Sequence, residues 1–269
     1  MSFDPEAIRS FEHARWQQAA SAYESSFAAA TAPFIGALLD AACVAAGTQM
    51  LDLACGPGVV ATQALARGAV VRALDFSPAM LTIAAARGIE TDEGDAEALP
   101  YASASFNSVV SNFGVHHVPR PERALREAHR VLRAGGRVAF SFWADNTDNI
   151  AWKLVFDAVA RCGDPAASVA PPPGGGFRGV AQCADALCAA GFADCTTELV
   201  HATWHHADAR GLLRALQAGT ARMAAMIDSQ PPAAVPAIIA DIEANAARYR
   251  TPDGIALPIA AVIATGTKG

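Results

Sequence analysis

Residues 50–59, MLDLACGPGV, contain the turn that decides the fold of this chain. Residues 50–54 predict a short buried strand, because only Asp52 interrupts an apolar run. Residues 55–58 then break the strand, and residues 59–67 predict a helix. A strand, a glycine turn and a helix form the first half of a βαβ unit, so the sequence predicts an α/β fold.

Gly56 and Gly58 predict a ligand at this turn, because glycine lets the backbone approach a bound molecule closely. The free N–H groups at the start of the following helix favour an anionic or oxygen-rich group. The spacing Gly56-x-Gly58-x-x-Ala61 also satisfies the dinucleotide-binding pattern. The turn alone is therefore compatible with more than one class of cofactor.

Asp75 is the second candidate ligand. It closes a predicted strand over residues 69–74, and Ser77 and Pro78 then supply an N-cap and a first helical residue. In parallel α/β sheets ligands bind at the carboxyl ends of the strands, where an acid accepts the hydroxyl groups of a ribose. The alternative is that Asp75 is only a turn residue before the next helix.

Two later loops are predicted at the same edge of the sheet. Asp95 lies in the polar loop GDAEALP (residues 94–100), where its carboxylate is suited to accept a hydrogen bond from the amino group of an adenine. The alternative is a solvated acidic loop. Asn112 follows a predicted strand over residues 106–111 and would face Gly56 if the strand order reverses there, as in doubly wound sheets. Gly135 and Gly136 are predicted to end the next helix, before a fifth strand over residues 137–143.

The flanking regions are predicted to be mainly helical. Trp16, Ala20, Tyr23 and Phe27 share one helix face, which favours core packing but leaves open a helix that folds over the cleft. The carboxyl-terminal part contains a Pro/Gly segment over residues 170–176, then a strand, two helices over about residues 208–228 and 234–248, and a last strand. We interpret the chain as a single domain with four parts: an N-terminal helical cap (1–47), a cofactor-binding core (48–145), a helical lid with the sixth strand (146–254) and the last strand (255–269).

Composition excludes several classes of protein. The chain has 269 residues, 52% of them hydrophobic, and a net charge of −6, which disfavours a nucleic-acid partner. No signal peptide or membrane span is predicted, so we expect a cytoplasmic protein without membrane insertion. The six cysteines contain no C-x-x-C pair, and His205 and His206 would point to opposite faces of a strand, so no metal site is predicted.

Five motifs together carry a resemblance to a known family. They are LDLACGPG (51–58), ALDFSPAML (73–81), GDAEALPY (94–101), SNFGVHHV (111–118) and RVLRAGGRVAF (130–140). In this order and at these separations the chain resembles the class I S-adenosylmethionine-dependent methyltransferases, and within them the small-molecule group that includes the ubiquinone and menaquinone methyltransferases. The resemblance implies a doubly wound, seven-stranded, mostly parallel sheet whose last strand is antiparallel. One departure is an insertion of about fifty residues between Trp204 and Ile255.

The resemblance also implies roles for individual residues. Gly56, Gly58 and the backbone of Ala54 would line the methionine part of S-adenosylmethionine, with Asp52 near its amino group and Asn112 at the same end. Asp75 would bind the ribose, Phe76 and Met80 would pack on the adenosine, and Asp95 and Ala96 would contact the adenine. Tyr23 would close over the cofactor from the N-terminal helix.

The chemistry of the residues supports this interpretation. S-Adenosylmethionine carries a sulfonium and no phosphate, so a cleft with Asp52, Asp75 and Asp95 suits it, and neither of the two lysines, Lys153 and Lys268, lies near the glycine turn. His116 and His117 lie where a general base for the methyl acceptor would stand, although structural roles for both remain the alternative.

Three functions remain open on the sequence. The first is transfer of a methyl group to an oxygen, nitrogen or carbon atom of a small molecule, aromatic or quinone-like. The second is an NAD(P)-dependent oxidoreductase that uses the same glycine turn, although no second glycine turn after a strand is found. The third is a protein that binds S-adenosylmethionine without turnover. A nucleic-acid methyltransferase is disfavoured by the acidic net charge.

Overall fold

The computed structural model describes residues 4–164, 167 and 180–269. Its strands form one sheet in the order β3-β2-β1-β4-β5-β8-β6, with the short β7 paired to β8. The strands are β1 (Gln49–Leu53), β2 (Val70–Asp75), β3 (Glu90–Glu93), β4 (Phe106–Asn112), β5 (Leu132–Trp143), β6 (Ala193–His206), β7 (Arg250–Thr251) and β8 (Gly254–Thr267). Strands β1 to β5 pair in parallel, and β8 is antiparallel to both β5 and β6. The predicted doubly wound fold and its antiparallel last strand are confirmed.

Helices cover the sheet and extend over its carboxyl edge. In chain order they are α1 (Pro5–Ser26), α2 (Ala28–Thr31), α3 (Ile35–Ala41), α4 (Val59–Ala66), α5 (Pro78–Ala86), α6 (Pro121–Val131), α7 (Ile150–Cys162), α8 (Val180–Ala189), α9 (Ala209–Gly219), α10 (Arg222–Asp228) and α11 (Val235–Asn245). None of the helices in the described ranges is long and apolar enough to cross a membrane.

Local capping explains where the helices that flank the site begin. The side chain of Asp4 accepts hydrogen bonds from the backbone N–H groups of Glu6 and Ala7 and caps α1. Ser77 caps α5 by accepting from the Met80 N–H, and Pro78 occupies the first helical position, as the sequence predicts. Helix α4 starts at Gly58, whose left-handed φ of 80° ends the glycine turn.

The long insertion leaves the last two strands paired. His206 at the end of β6 lies opposite Ile255 at the start of β8, so α9, α10, α11 and β7 extend from the end of an antiparallel pair. The buried side chains of α7, α9, α10 and α11 form one apolar cluster with Phe27, Phe34 and Trp204. The insertion is therefore packed on the first helices of the chain and on β8.

Two predictions about element ends were wrong. Helix α6 ends at Val131, and Gly135 and Gly136 lie inside β5, where they exchange backbone hydrogen bonds with Lys268. The helix predicted over residues 208–228 is divided: α9 ends at Gly219, Thr220 is extended, and α10 begins at Arg222. The Pro/Gly segment over residues 170–176 lies outside the described residues, and the four-part division of the chain stays a prediction.

Candidate functional site

The glycine turn after β1 opens into a cavity at the carboxyl edge of the sheet. Ala54 and Gly56 both have left-handed backbone angles, with φ of 55° and 54°. Most of the residues predicted to contact the cofactor line this single cavity; they are Tyr23, Asp52, Ala54, Gly56, Asp75, Phe76, Met80, Asp95, Ala96 and Asn112. The cavity is also lined by Arg9, Trp16, Phe113 and His117.

Gly58 is not among these lining residues, and its contact with the methionine part of the cofactor stays a prediction. A Cβ atom at Gly58 would stand 2.4 Å from Cδ1 of Ile89 and 3.1 Å from the Cβ of Ala84 in α5. The glycine at this position therefore allows α4 to approach its neighbour closely, in a left-handed conformation that glycine adopts without strain.

Asp75 joins the end of β2 to the glycine turn. Its Oδ2 accepts a hydrogen bond of 2.8 Å from the Gly56 N–H, and its Oδ1 accepts one of 2.9 Å from the Ser77 N–H. Burial raises the pKa of Asp75 to about 6, although hydrogen bonds from backbone N–H groups and the nearby His13 act in the opposite direction. The carboxylate and the turn thus face one cavity.

Asp52 is a second buried carboxyl group, 1% exposed, beside the first. Its Oδ2 accepts from the Ala61 N–H at 3.0 Å, whereas its Oδ1 is buried and has no hydrogen-bond partner among the described residues. Burial raises the pKa of Asp52 to about 7; the bond from Ala61 lowers it, and the charge of Asp75 raises it further. A buried acceptor without a donor is costly, so this position fits a ligand that carries a cationic amino group.

Phe76, Met80, Asp95 and Ala96 also line the cavity. Asp95 does not present a free carboxylate, because its Oδ1 accepts from the Glu97 N–H and its Oδ2 pairs with Nη2 of Arg9 at 3.0 Å. Any contact between Asp95 and an adenine would therefore share this carboxylate with the guanidinium of Arg9.

Both polar atoms of the Asn112 side-chain amide form hydrogen bonds within the protein. Its Oδ1 accepts from the Ser141 hydroxyl at 2.7 Å, and its Nδ2 donates to the Thr31 carbonyl at 3.3 Å. One N–H of the amide is left for a ligand. The residue thus fixes the loop after β4 against α2 and β5 at the inner end of the cavity.

Helix α1 lies over the open side of this edge. Gln17 accepts hydrogen bonds from the Ser77 hydroxyl at 2.5 Å and from the Ala79 N–H at 2.8 Å, so it ties α1 to the start of α5. Tyr23 lines the cavity and its hydroxyl lies 3.2 Å from Oγ1 of Thr31. Burial raises the pKa of Tyr23, so its hydroxyl stays protonated and available as a donor.

The two adjacent histidines have different environments. His117 lines the cavity and its Nδ1 lies 3.0 Å from Oε2 of Glu12. His116 does not line the cavity; it packs edge-on against Phe142, its Nδ1 is buried without a partner among the described residues, and burial holds its pKa well below the usual range. Of the two predicted candidates for a base, only His117 is placed to meet a ligand.

Arg9, Glu12, Gln17 and Arg222 were not identified from the sequence. Glu12 lies four residues before Trp16, on the same helix face as Tyr23, and an acid in such an apolar stripe was a signal that this face meets a polar partner. Arg222 comes from the insertion, 210 residues from Glu12, and nothing in the local sequence indicated it.

The described residues contain no group of three or more His, Cys, Asp or Glu side chains arranged to hold a metal ion. His201 and His205 are exposed on β6, and the partly buried His206 pairs with Ile255 at the start of β8. These histidines are separate from the cavity at the carboxyl edge of the sheet.

The strand order and the glycine–acid pair at the carboxyl edge are those of the class I methyltransferase fold. Residues 51–140 match the family model described as a methyltransferase domain, and this part of the chain belongs to that family. The resemblance carried by the five sequence motifs, and S-adenosylmethionine as the cofactor that it implies, are thereby confirmed.

Known proteins resemble this chain in sequence over limited stretches and in fold over most of its length. An uncharacterized protein of Mycobacterium tuberculosis is 37% identical over 118 residues, 42% of this chain and 43% of that protein. A demethylmenaquinone methyltransferase of the same species is 41% identical over 92 residues, 34% of this chain and 39% of that protein. The chain thus matches less than half the length of these relatives. A solved SAM-dependent methyltransferase from Thermotoga maritima shares the fold, with a TM-score of 0.59, 17% identity and coverage of 96% of this chain and all of that one.

Proposed function

We propose that this protein transfers the methyl group of S-adenosylmethionine to a small molecule. The observation that carries the proposal is the pair of buried carboxyl groups, Asp52 and Asp75, beside the glycine turn in one cavity. Such a pair favours a cationic ligand and disfavours the pyrophosphate of a dinucleotide. The demethylmenaquinone methyltransferase that the chain resembles supports a methyl-transfer reaction on a small organic acceptor.

The residues of the cavity fit the parts of S-adenosylmethionine. Asp75 would accept hydrogen bonds from the ribose hydroxyl groups, and the unpartnered Oδ1 of Asp52 would accept one from the amino group of the methionine part. Phe76 and Met80 would pack against the adenosine, with Asp95 and Ala96 at the adenine. When bound, the cofactor supplies an activated methyl group, and the protein positions the acceptor and excludes water.

The acceptor would approach from the side of α1, where aromatic groups line the cavity. Trp16, Tyr23 and Phe113 stand there together with His117, an arrangement that supports an aromatic or quinone-like acceptor. His117 is the residue of this region that would accept a proton from the acceptor, because its ring lines the cavity.

Free cysteines at all six positions support the cytoplasm as the place of action.

Mass spectrometry with isotope-labelled cofactor would test the proposal. The full-length protein is incubated with S-adenosylmethionine labelled in its methyl group and a fractionated small-molecule extract. We expect one fraction to gain the labelled methyl group, and the variant Asp75→Ala to transfer much less at the same cofactor concentration. Tight cofactor binding without a labelled product in any fraction would instead indicate a binding protein, and tight binding of NADH would revive the oxidoreductase.

A further inference from the structure

Glu12 is buried at the point where three distant parts of the chain meet. Its Oε2 accepts from Nε1 of Trp16 at 3.0 Å and lies 3.0 Å from Nδ1 of His117, and its Oε1 accepts from Nε of Arg222 at 2.6 Å. The Glu12 side chain is only 1% exposed. A buried carboxylate held by three donors has one orientation, so each donor is also fixed by it.

The charge of Glu12 determines which nitrogen of His117 carries the proton. Burial by itself would raise the pKa of Glu12, but His117 and Arg222 outweigh it and hold the pKa below its usual value. An ionised carboxylate only accepts hydrogen bonds, so Nδ1 of His117 must donate. The neutral ring then has its lone pair on Nε2.

Nε2 is the ring nitrogen of His117 that is available to contact a ligand in the cavity. His117 lines the cavity, its side chain is 19% exposed, and Nε2 has no hydrogen-bond partner within the described part of the chain. The charged and titratable groups around the ring are Glu12 from α1, Arg222 from α10 and the neighbouring His116. Trp16 packs edge-on against the imidazole ring of His117, with the ring centroids 5.0 Å apart, and fixes the plane of that ring.

We propose that Glu12 is a positioning residue that holds His117 with Nε2 toward the cavity, and that the methyl acceptor is an aromatic hydroxyl compound whose proton Nε2 removes. This inference rests on the proposed methyl transfer. A neutral hydroxyl is a weak nucleophile until its proton leaves, whereas a neutral amine attacks through its lone pair without a base. A fixed proton acceptor among Trp16, Tyr23 and Phe113 therefore suits a phenolic group.

In this step the hydroxyl oxygen of the acceptor loses its proton and gains the methyl group. The hydroxyl oxygen forms a bond to the methyl carbon while the carbon–sulfur bond breaks, and the electron pair of that bond stays on sulfur. The hydroxyl proton goes to Nε2 of His117, and the resulting imidazolium is paired with the Glu12 carboxylate until it releases the proton to water. Arg222, which also contacts the His116 carbonyl at 3.3 Å, holds Glu12 in place during this exchange.

The tautomer of His117 is measurable in the protein alone by nitrogen-15 NMR. The full chain is labelled at histidine, and the signal of His117 is identified by its loss in His117→Ala. At alkaline pH we expect a protonated Nδ1 and an unprotonated Nε2. A ring protonated on Nε2 would overturn the role of Glu12 while leaving the proposed methyl transfer intact.

Glu12→Gln tests the same role in catalysis, with Glu24→Gln as the matched control. Glu24 lies on the same helix and forms an exposed ion pair with Arg87, away from the cavity. With the acceptor fraction identified in the labelled extract, we expect Glu12→Gln to lower kcat at least about tenfold, because it no longer fixes the tautomer. Affinity for S-adenosylmethionine, measured by calorimetry, should not change, and Glu24→Gln should behave as the parent.

Each remaining outcome has a defined meaning. Equal kcat in Glu12→Gln and the parent would overturn the role of Glu12, and a methyl group found on nitrogen or carbon of the product would overturn the acceptor class. If Glu12→Gln does not fold, the tautomer of His117 in the parent protein decides by itself whether Glu12 positions His117. Absence of any methylated product, with Nδ1 protonated, would remove the proposed function but not the arrangement of Glu12 and His117.

Discussion

The two sides of the cavity are built in different ways. On the cofactor side, the turns after β1 and β2 are joined by the hydrogen bond from Gly56 to Asp75, 19 residues apart. On the acceptor side, Glu12 joins His117 and Arg222, which are 105 and 210 residues away in the sequence. The first side is encoded by short motifs, whereas the second exists only when α1 and the insertion have docked.

This difference separates two properties of the protein. Changes on the cofactor side should alter cofactor affinity, and changes on the acceptor side should alter turnover. A protein that keeps the first side and varies the second can retain one cofactor while its acceptor changes. The following predictions test whether the two sides are separable in this chain.

The largest expected effect is on turnover in His117→Ala. Loss of a general base lowers rates by about 10²–10⁴-fold, and we expect kcat to fall in that range with the identified acceptor. Affinity for S-adenosylmethionine, measured by calorimetry, should be unchanged. His129→Ala is the control, because His129 lies on α6, outside the cavity, and packs against Phe192. A large loss of cofactor affinity in His117→Ala would show that the two sides are not separable.

The next effect is on cofactor affinity in Asp75→Ala. The substitution removes an acceptor for the ribose and also the bonds that hold Gly56 and Ser77. We expect a loss of about 1–3 kcal/mol, or about 5- to 150-fold in Kd by calorimetry. Asp40→Asn is the control, because Asp40 lies on α3 and its side chain forms an exposed ion pair with Arg67. Unchanged affinity in Asp75→Ala would exclude Asp75 from the site.

A third effect is a pH dependence confined to the cofactor side. In the free protein the pKa values of Asp75 and Asp52 are raised to about 6 and about 7, so both carboxyl groups take up protons as the pH falls through this window. A cationic ligand needs them ionised, so its affinity should fall about tenfold per pH unit for each protonated carboxyl group. Calorimetry between about pH 8 and pH 5 measures this, and Asp75→Asn should reduce the slope.

The ionisation of Asp75 and Asp52 also changes the stability of the folded protein with pH. Their pKa values in the folded protein are above the ordinary value of 3.8, so their stabilising contribution is complete below that value and is lost as the pH rises through about 6 to 7. The increase in Tm caused by S-adenosylmethionine should therefore be greater at pH 8 than at pH 5. An increase in Tm that does not vary with pH would contradict binding of a cation at these carboxyl groups.

The sequence was informative about the cofactor side because its signals are local. A strand followed by glycines, and a strand followed by an acid, predicted that Gly56 and Asp75 would meet at one edge of the sheet, and they do. It was uninformative about Arg222, because that residue reaches Glu12 only when α9, against which α10 packs, has docked on α1. The sequence does not distinguish two roles for Gly58, because a turn glycine that allows close packing has the same sequence signature as one that contacts a ligand.

The smallest expected effect is on stability in Ala54→Gly. Ala54 has a φ of 55°, which costs an L-residue about 1–2 kcal/mol, and glycine would relieve this strain. Glycine would also raise the conformational entropy of the unfolded chain, which lowers the stability of the folded protein by about 0.4–1 kcal/mol. We therefore expect the free energy of unfolding, measured in urea, to rise by no more than about 1.6 kcal/mol. Gly58→Ala is the informative contrast in the same turn, because its methyl group would overlap Ile89 at a φ of 80°. It should cost about 1–3 kcal/mol, and equal stability of the two variants would show that close packing of α4 does not fix the turn.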